Sequence, residues 1–394
     1  MFKDKDILFI VHNYNSFQKD LIEETAKYYR KVYVLVRYKP ISKYIKRIPL
    51  KWLKKYDDSN VIDLSNIPQN IEVIRTPVWY IPLGFFNKFL GNLHYKSVER
   101  IIKKYKLEFD IVHSHFIWSS GYVGMKIKEK YGVPFVVTGH GFDVYSLPFK
   151  TKSWTNKTRK ILESADAVIT VSENNKRHLL RLGIDEKKIE IISNGFNPRL
   201  FSPIEKEIAR KELNIPKDKK VLLTVGNLEQ VKGHQYLIEA VKLLKEKYPN
   251  IFCYIIGGGS LQRTLQNRIN LYGLEKNIHL TGPLLHEEIN TWINACDVFV
   301  LPSLAESFGI VQLEAFACGK AVVATKNFGS REILTSGDYG ILCEIANSED
   351  LADKIDIALR KKWDTKKLMD YAKNFTWEQA AQDIVNIYER LLNA

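Results

Sequence analysis

"VFVLPSLAESFGIVQLEAFACGKAVVAT", residues 298–325, reads as strand, loop, helix and strand in succession. Val298 to Leu301 is a short β-rich apolar run closed by Pro302, and apolar residues at helical spacing begin only at about Gly309. Glu306 then falls on the loop, and Glu314 on the second turn of the helix. Both are expected to point into a cleft beyond the strand's carboxyl end, with the first free N–H groups of the helix between them. Such a pair suits a ligand with an anionic centre and hydroxyls on either side.

The same strand-to-helix unit recurs along the chain. Strand candidates are 6–12, 31–37, 110–115, 134–140, 167–172 and 189–193, then 221–227, 251–258, 278–282, 298–303 and 321–325. Amphipathic helical segments separate them, which predicts an α/β protein with parallel sheets. The segment "NPRLFSPIEKEIARKELNIPKDKK" (197–220) has three prolines and dense charge, and is read as a linker with one short helix. Two domains are expected, 1–200 and 201–375, with a last helix over 376–394 capped by Thr376.

The composition, 45% hydrophobic and 26% charged over 394 residues, is that of a globular protein. No apolar run reaches the roughly 18 residues of a membrane span, and the amino end lacks the pattern of a signal peptide. Cys253, Cys296, Cys318 and Cys343 are far apart and are expected to be reduced, buried thiols in a cytoplasmic protein, with no structural zinc. The net charge of +14 is uneven: residues 1–200 hold 35 Lys and Arg against 20 Asp and Glu, the rest 24 against 25. The excess concentrates at Tyr38 to Tyr56, near the aromatic stretch Thr76 to Leu90. Basic residues among aromatics fit an anionic membrane surface, nucleic acid, or a merely solvated face.

Other polar residues gather at predicted strand ends. Lys232, in "VGNLEQVKGHQ", follows Gly226 and Asn227 and precedes a helix, where its charge can meet a phosphate; alone it also reads as a surface lysine. "GGGSL" (257–261) lacks the third glycine of a dinucleotide fingerprint and reads as a turn that lets a ligand or a helix approach the sheet. His140 and Asp143 lie between and beyond glycines in "TGHGFD", where the histidine can bond a sugar hydroxyl or cap the loop. His113 and His115 share one face of a strand without a third ligand in register, so no metal site is expected. Asp4 and Asp6 precede the first strand and are read as solvated.

Taken together, "TGHGFD" (138–143), "ISNGFNPRLF" (192–201), "VGNLEQVKG" (225–233), "GGGSL" and "SLAESFGIVQLEAFACGKAVVAT" (303–325) resemble the retaining GT-B glycosyltransferases of family 4, in that family's order. The resemblance implies two Rossmann-like domains with parallel sheets facing across a cleft, and a final helix crossing back to the first domain. It implies a nucleotide diphosphate sugar as donor, with Gly226, Asn227, Lys232, Glu306, Ser307, Phe308, Gly309, Ile310 and Glu314 around it. Glu314 would hold the ribose hydroxyls and Glu306 those of the sugar. The N–H groups of Phe308, Gly309 and Ile310 would meet the diphosphate, Lys232 the departing phosphate, and His140 the donor sugar. No cofactor or metal is implied. The chain departs from the family at Asn227, where an arginine is usual, and at the first loop, "HNYNSFQKDL" instead of a glycine-rich run. His12, Asn13, Asn15 and Asp143 are the acceptor-side candidates there.

The expected activity is hexosyl transfer to a cell-envelope glycan or lipid-linked acceptor, with the basic domain on the inner face of a membrane. A sugar-nucleotide epimerase of the same fold and a basic nucleic-acid-binding scaffold are the alternatives. The scaffold leaves the glutamate, glycine and lysine set unexplained, and no nucleic-acid partner is expected.

Overall fold

A computed structural model of the chain describes residues 3–40, 62–79 and 89–394. The basic stretch 41–56 and the aromatic residues 80–88 lie outside the described residues. The chain divides into two compact units, Met1–Ser193 with Trp377–Ala394, and Asn194–Thr376.

The N-terminal unit holds a seven-stranded sheet in the order β3-β2-β1-β4-β5-β6-β7. Its strands are β1 (Asp6–Val11), β2 (Lys31–Tyr38), β3 (Ile71–Pro77), β4 (Ile111–His115), β5 (Phe135–Gly139), β6 (Ala167–Thr170) and β7 (Ile189–Ile191). Every pairing is parallel. β1 is buried along its whole length, and the unbroken apolar run "ILFIV" is what a parallel strand covered on both faces requires. Asp6, expected to be solvated ahead of the strand, instead opens it, buried and held by the Arg30 guanidinium. β1 pairs with β2 on one side and β4 on the other, so the order of strands reverses between β1 and β4.

The C-terminal unit repeats the plan with six strands in the order β10-β9-β8-β11-β12-β13, again all parallel. They are β8 (Lys220–Val225), β9 (Ile251–Ile256), β10 (Ile278–Gly282), β11 (Val298–Leu301), β12 (Val322–Thr325) and β13 (Gly340–Cys343). The order reverses between β8 and β11, where Val298 pairs with Leu222 and Phe299 with Leu223. A crevice opens beyond the strand ends at such a reversal.

The eleven strands expected from sequence lie within two residues of these bounds; β3 and β13 were not expected. Both are edge strands, as are β7 and β10, which were expected. β3 carries Glu72, Arg75 and Pro77, and is buried only in part. β13 begins at Gly340, where a Cβ would stand 2.1 Å from the carbonyl oxygen of Val322. Only glycine brings that strand to its neighbour.

Two further segments place the chain's ends. The stretch read as a linker forms the short helix Lys206–Glu212, and Arg210, 3% exposed, docks it. The guanidinium donates to Asp297 Oδ2 at 2.8 Å and to the Ala295 and Lys217 carbonyls, so the segment belongs to the C-terminal unit. Helix Trp377–Leu392 begins one residue after Thr376 and packs on helix Ser16–Ala26 of the N-terminal unit. Its Tyr388 is fully buried and hydrogen-bonds His113 Nδ1 on β4. All four cysteines are free and buried. Among the described residues, no helix is long and apolar enough to cross a membrane.

Candidate active site

In the C-terminal unit the loops after β8 and β11 meet at the strand reversal. Gly226 donates its N–H to Ile256 O at 2.9 Å, and Leu228 to Gly258 O at 3.0 Å. Gly257, at φ +146°, leaves room for this: a Cβ there would lie 2.0 Å from the Gly226 carbonyl oxygen. What the glycine run admits is the backbone of the loop after β8, where the sequence suggested a ligand or a helix. Asn227 is exposed, and its carbonyl lies 3.2 Å from Nε2 of buried His234, whose pKa burial lowers to about 4.

Lys232 ends a short 3₁₀ turn, and Gly233 beside it adopts a left-handed conformation at φ +65°. A Cβ on Gly233 would stand 2.0 Å from Pro302 O, and Leu304 N–H donates to Val231 O at 2.7 Å. The lysine loop is thereby pressed onto the glutamate loop. Lys232 Nζ lies 2.5 Å from Glu306 Oε1, and Ser303 Oγ donates to the same oxygen at 2.8 Å. From the other side, Gly329 N–H donates to the Glu306 carbonyl at 3.1 Å, and Asn327 Nδ2 to that of Ser303 at 3.1 Å. Glu306 is thus held at both its side chain and its backbone.

Helix Ile310–Ala317 starts from Gly309, left-handed at φ +88°. Phe308 is buried, while Ser307, Gly309 and Ile310 are partly exposed, and Glu306 lies on the loop just before the first turn, whose N–H groups have no carbonyl four residues back within the helix. Glu314 is buried on the second turn, where Nε2 of His286 holds its Oε1 at 2.8 Å. One unit therefore carries a lysine paired with Glu306 on the loop before helix Ile310–Ala317, and Glu314, paired with His286, on that helix's second turn. That combination can bind an anion flanked by hydroxyls.

In the N-terminal unit the candidates cluster at the ends of β1, β4 and β5. His115 Nδ1 lies 3.0 Å from His140 Nε2, with the rings stacked at 16°. His113 bonds Tyr388 through Nδ1 and Thr138 Oγ1 at 2.7 Å through Nε2. His12 stacks on Phe116 at 4.8 Å, and Asn15 stands at the N-cap of helix Ser16–Ala26. Buried atoms without a partner here include His12 Nε2, Asn13 Oδ1, His115 Nε2 and His140 Nδ1. Burial keeps these imidazoles neutral: His113 and His140 fall to about 3, and His12 and His115 fall well below their ordinary value.

Asp143 is turned into its own loop. Its Oδ1 accepts from the N–H of His140 and Gly141, and its Oδ2 from that of Ile117, at 2.9–3.1 Å. Burial raises its pKa against those bonds. The carboxylate ties the histidine loop to the start of the segment after β4. Among the described residues, no group of three or more His, Cys, Asp or Glu is placed to hold a metal ion. Two partners escaped sequence reasoning. His115 was seen only as half of a strand pair, and its i, i+2 spacing was the available signal; His286, 28 residues from Glu314, carried none.

Residues 57–200 match the family model described as Glycosyltransferase Family 4, and residues 205–375 that described as Glycosyl transferases group 1. D-inositol 3-phosphate glycosyltransferase of Corynebacterium aurimucosum is 28% identical over 305 residues, 72% of each chain. Among solved structures, sucrose-phosphate synthase of Thermosynechococcus elongatus aligns with a TM-score of 0.78 at 23% identity, covering 99% of each chain. Anabaena Alr3699/HepE, solved in complex with UDP, aligns with a TM-score of 0.75 at 21% identity, covering 98% of this chain and 100% of that one. With two parallel α/β units, each with its crevice at a strand reversal, the chain belongs to the GT-B glycosyltransferases, a Glycosyltransferase Family 4 domain followed by a group 1 domain.

Proposed function

We propose that this glycosyltransferase takes a hexose-type sugar from a nucleotide diphosphate donor and transfers it, with retention at the anomeric carbon, to a glycan or lipid-linked acceptor. The observation that supports the donor reading is the Lys232–Glu306 contact on the loop that leads into the helix starting after Gly309, the helix that carries buried Glu314. In this reading Glu314 accepts from the ribose hydroxyls and Glu306 from those of the sugar. The N–H groups at Phe308, Gly309 and Ile310 and the Lys232 ammonium stabilise the departing diphosphate as its charge develops. These groups supply the positive charge themselves, and the reaction is proposed to run without a metal ion or cofactor. Asn227 replaces a cation that would share this load, which makes Lys232 the more important. His140, with its buried, unpartnered Nδ1, is the hydrogen-bonding group that the N-terminal unit contributes. His12, Asn13, Asn15 and Asp143 are its acceptor-side candidates.

UDP bound to Alr3699/HepE makes uridine the first base to try. A panel of UDP-, GDP- and ADP-sugars in EDTA tests the donor reading through thermal shift and hydrolysis, since a ligand of the folded state must raise its stability. No response across the panel ends that reading. Proton NMR of the first-formed product tests retention, and an inverted anomer removes it. A small polyol or sugar phosphate is the second acceptor reading, favoured by the names of the Corynebacterium and Thermosynechococcus proteins. Turnover with inositol 3-phosphate or another small sugar phosphate in the absence of lipid would decide for it.

A further inference from the structure

We infer that His286 is a positioning residue for Glu314, fixing the carboxylate in the orientation that reads the ribose diol of the donor. This rests on the ribose reading given above and goes beyond it, because it assigns discrimination between ribose and deoxyribose to a second side chain. His286 Nε2 is 2.8 Å from Glu314 Oε1, and the two side chains are 36% and 5% exposed. Among the described residues no other side chain is hydrogen-bonded to this carboxylate. An ionised carboxylate only accepts, so the imidazole donates from Nε2. Lone pairs remain on both oxygens for two hydroxyls.

The imidazole is itself held. His286 opens a 3₁₀ turn over His286–Glu288, and Glu288 Oε2 closes it by accepting the Leu285 N–H at 2.7 Å. The ring packs against Phe201, 5.0 Å between centroids, and Phe201 is only 2% exposed. A buried phenyl, an imidazole and a carboxylate thus form a rigid arm ending at helix Ile310–Ala317. A glutamate has three rotatable torsions, and holding it before the ligand arrives removes an ordering cost from binding. A site that pairs a substrate hydroxyl also rejects the analogue lacking it, and does so best when its acceptor cannot swing away.

The test measures binding of UDP, GDP and ADP, each beside its 2′-deoxy counterpart, to the full chain and to three variants. The base that binds most tightly sets the comparison. The full chain is expected to prefer the ribonucleotide about tenfold or more, and Glu314→Ala to bring the ratio near one. His286→Ala should narrow the ratio at least threefold with little change in affinity for the deoxynucleotide, and His286→Gln, whose amide donates from a similar position, should restore it. A role in folding alone would lower the melting temperature of His286→Ala and leave the ratio where it was. If Glu314→Ala keeps the full preference, or no diphosphate binds, the ribose reading itself fails. If Glu314→Ala abolishes the preference while His286→Ala retains it, the ribose reading stands and the assignment to His286 is overturned.

Discussion

Lys232 and Glu306 share a contact in which Nζ and Oε1 are 2.5 Å apart, and Ser303 Oγ reaches the same oxygen at 2.8 Å. The two side chains are 26% and 12% exposed, so neither charge is fully screened by water. Removing one leaves the other with a partly buried, uncompensated charge. Lys232→Ala is therefore expected to lower turnover by roughly 10²–10³. Glu306→Ala should also be costly, and the double variant should lose less than the two single losses multiplied, a coupling of about 0.5–3 kcal/mol. Single-turnover rates of the three variants measure it. An unchanged rate in Lys232→Ala would make it a surface residue and leave the phosphate to another cation.

Glu314→Ala should weaken stabilisation by a nucleotide diphosphate by about 1–3 kcal/mol, the value of a hydrogen bond to a charged group in a partly dry site. The thermal shift at saturating nucleotide should fall while the unliganded melting point changes little, because His286 is exposed enough to be solvated when its partner is removed. A full shift in the variant would place the nucleotide elsewhere.

Gly233→Ala tests the backbone that joins the two loops. The residue is left-handed at φ +65°, and a Cβ would press to 2.0 Å from Pro302 O. Neither strain can be relieved without separating Val231 and Leu304, so a loss of about 2–4 kcal/mol of stability is expected, with activity falling alongside. Denaturant midpoints give the first and initial rates the second. Wild-type values for both would mean that the loops do not depend on each other.

The histidine cluster predicts acid lability in the N-terminal unit. His113 and His140 titrate at about 3 when folded, through burial, whereas an unfolded chain protonates them near 6.5. Below that value the unfolded state binds more protons. Their contribution is therefore present above about pH 6.5 and is lost as pH falls toward 3, at most about 1.4 kcal/mol per pH unit for each histidine. Asp143, with a raised pKa, opposes this as a single group. The urea midpoint of this unit should drop between pH 7 and pH 5. Equal midpoints would show that the imidazoles take up protons without unfolding.

The basic first half predicts reversible, salt-sensitive binding to anionic vesicles. Lys46, Arg47, Lys51, Lys54 and Lys55 lie outside the described residues, so the argument is one of charge: each is worth about 1 kcal/mol near such a surface. Neutralising all five should release the protein from vesicles and leave nucleotide binding intact. Negligible sedimentation with both anionic and neutral vesicles at low salt would return the charge to a solvated face and favour a soluble acceptor.

What the amino-acid sequence determined by itself was local and periodic. Apolar runs such as "ILFIV" and "VFVL" specify buried parallel strands because both faces must be covered, and their carboxyl ends locate the loops that carry Lys232 and Glu306. The placing of Glu306 before a helix and Glu314 on its second turn followed from spacing alone, and the helix starts at Ile310 as that spacing requires. Of the four edge strands, β7 and β10 were legible, whereas β3 is interrupted by Glu72, Arg75 and Pro77 and β13 is a four-residue run opened by glycine. Tertiary structure alone decided which side chains meet. Asp143 accepted two N–H groups of its own loop and one from Ile117 after β4, His115 met His140 across paired strands, and Tyr388 reached His113 from the far end of the chain. His286 met Glu314 from the loop after β10. Such pairings depend on strand order and on the direction of loops, which no local pattern of polarity encodes.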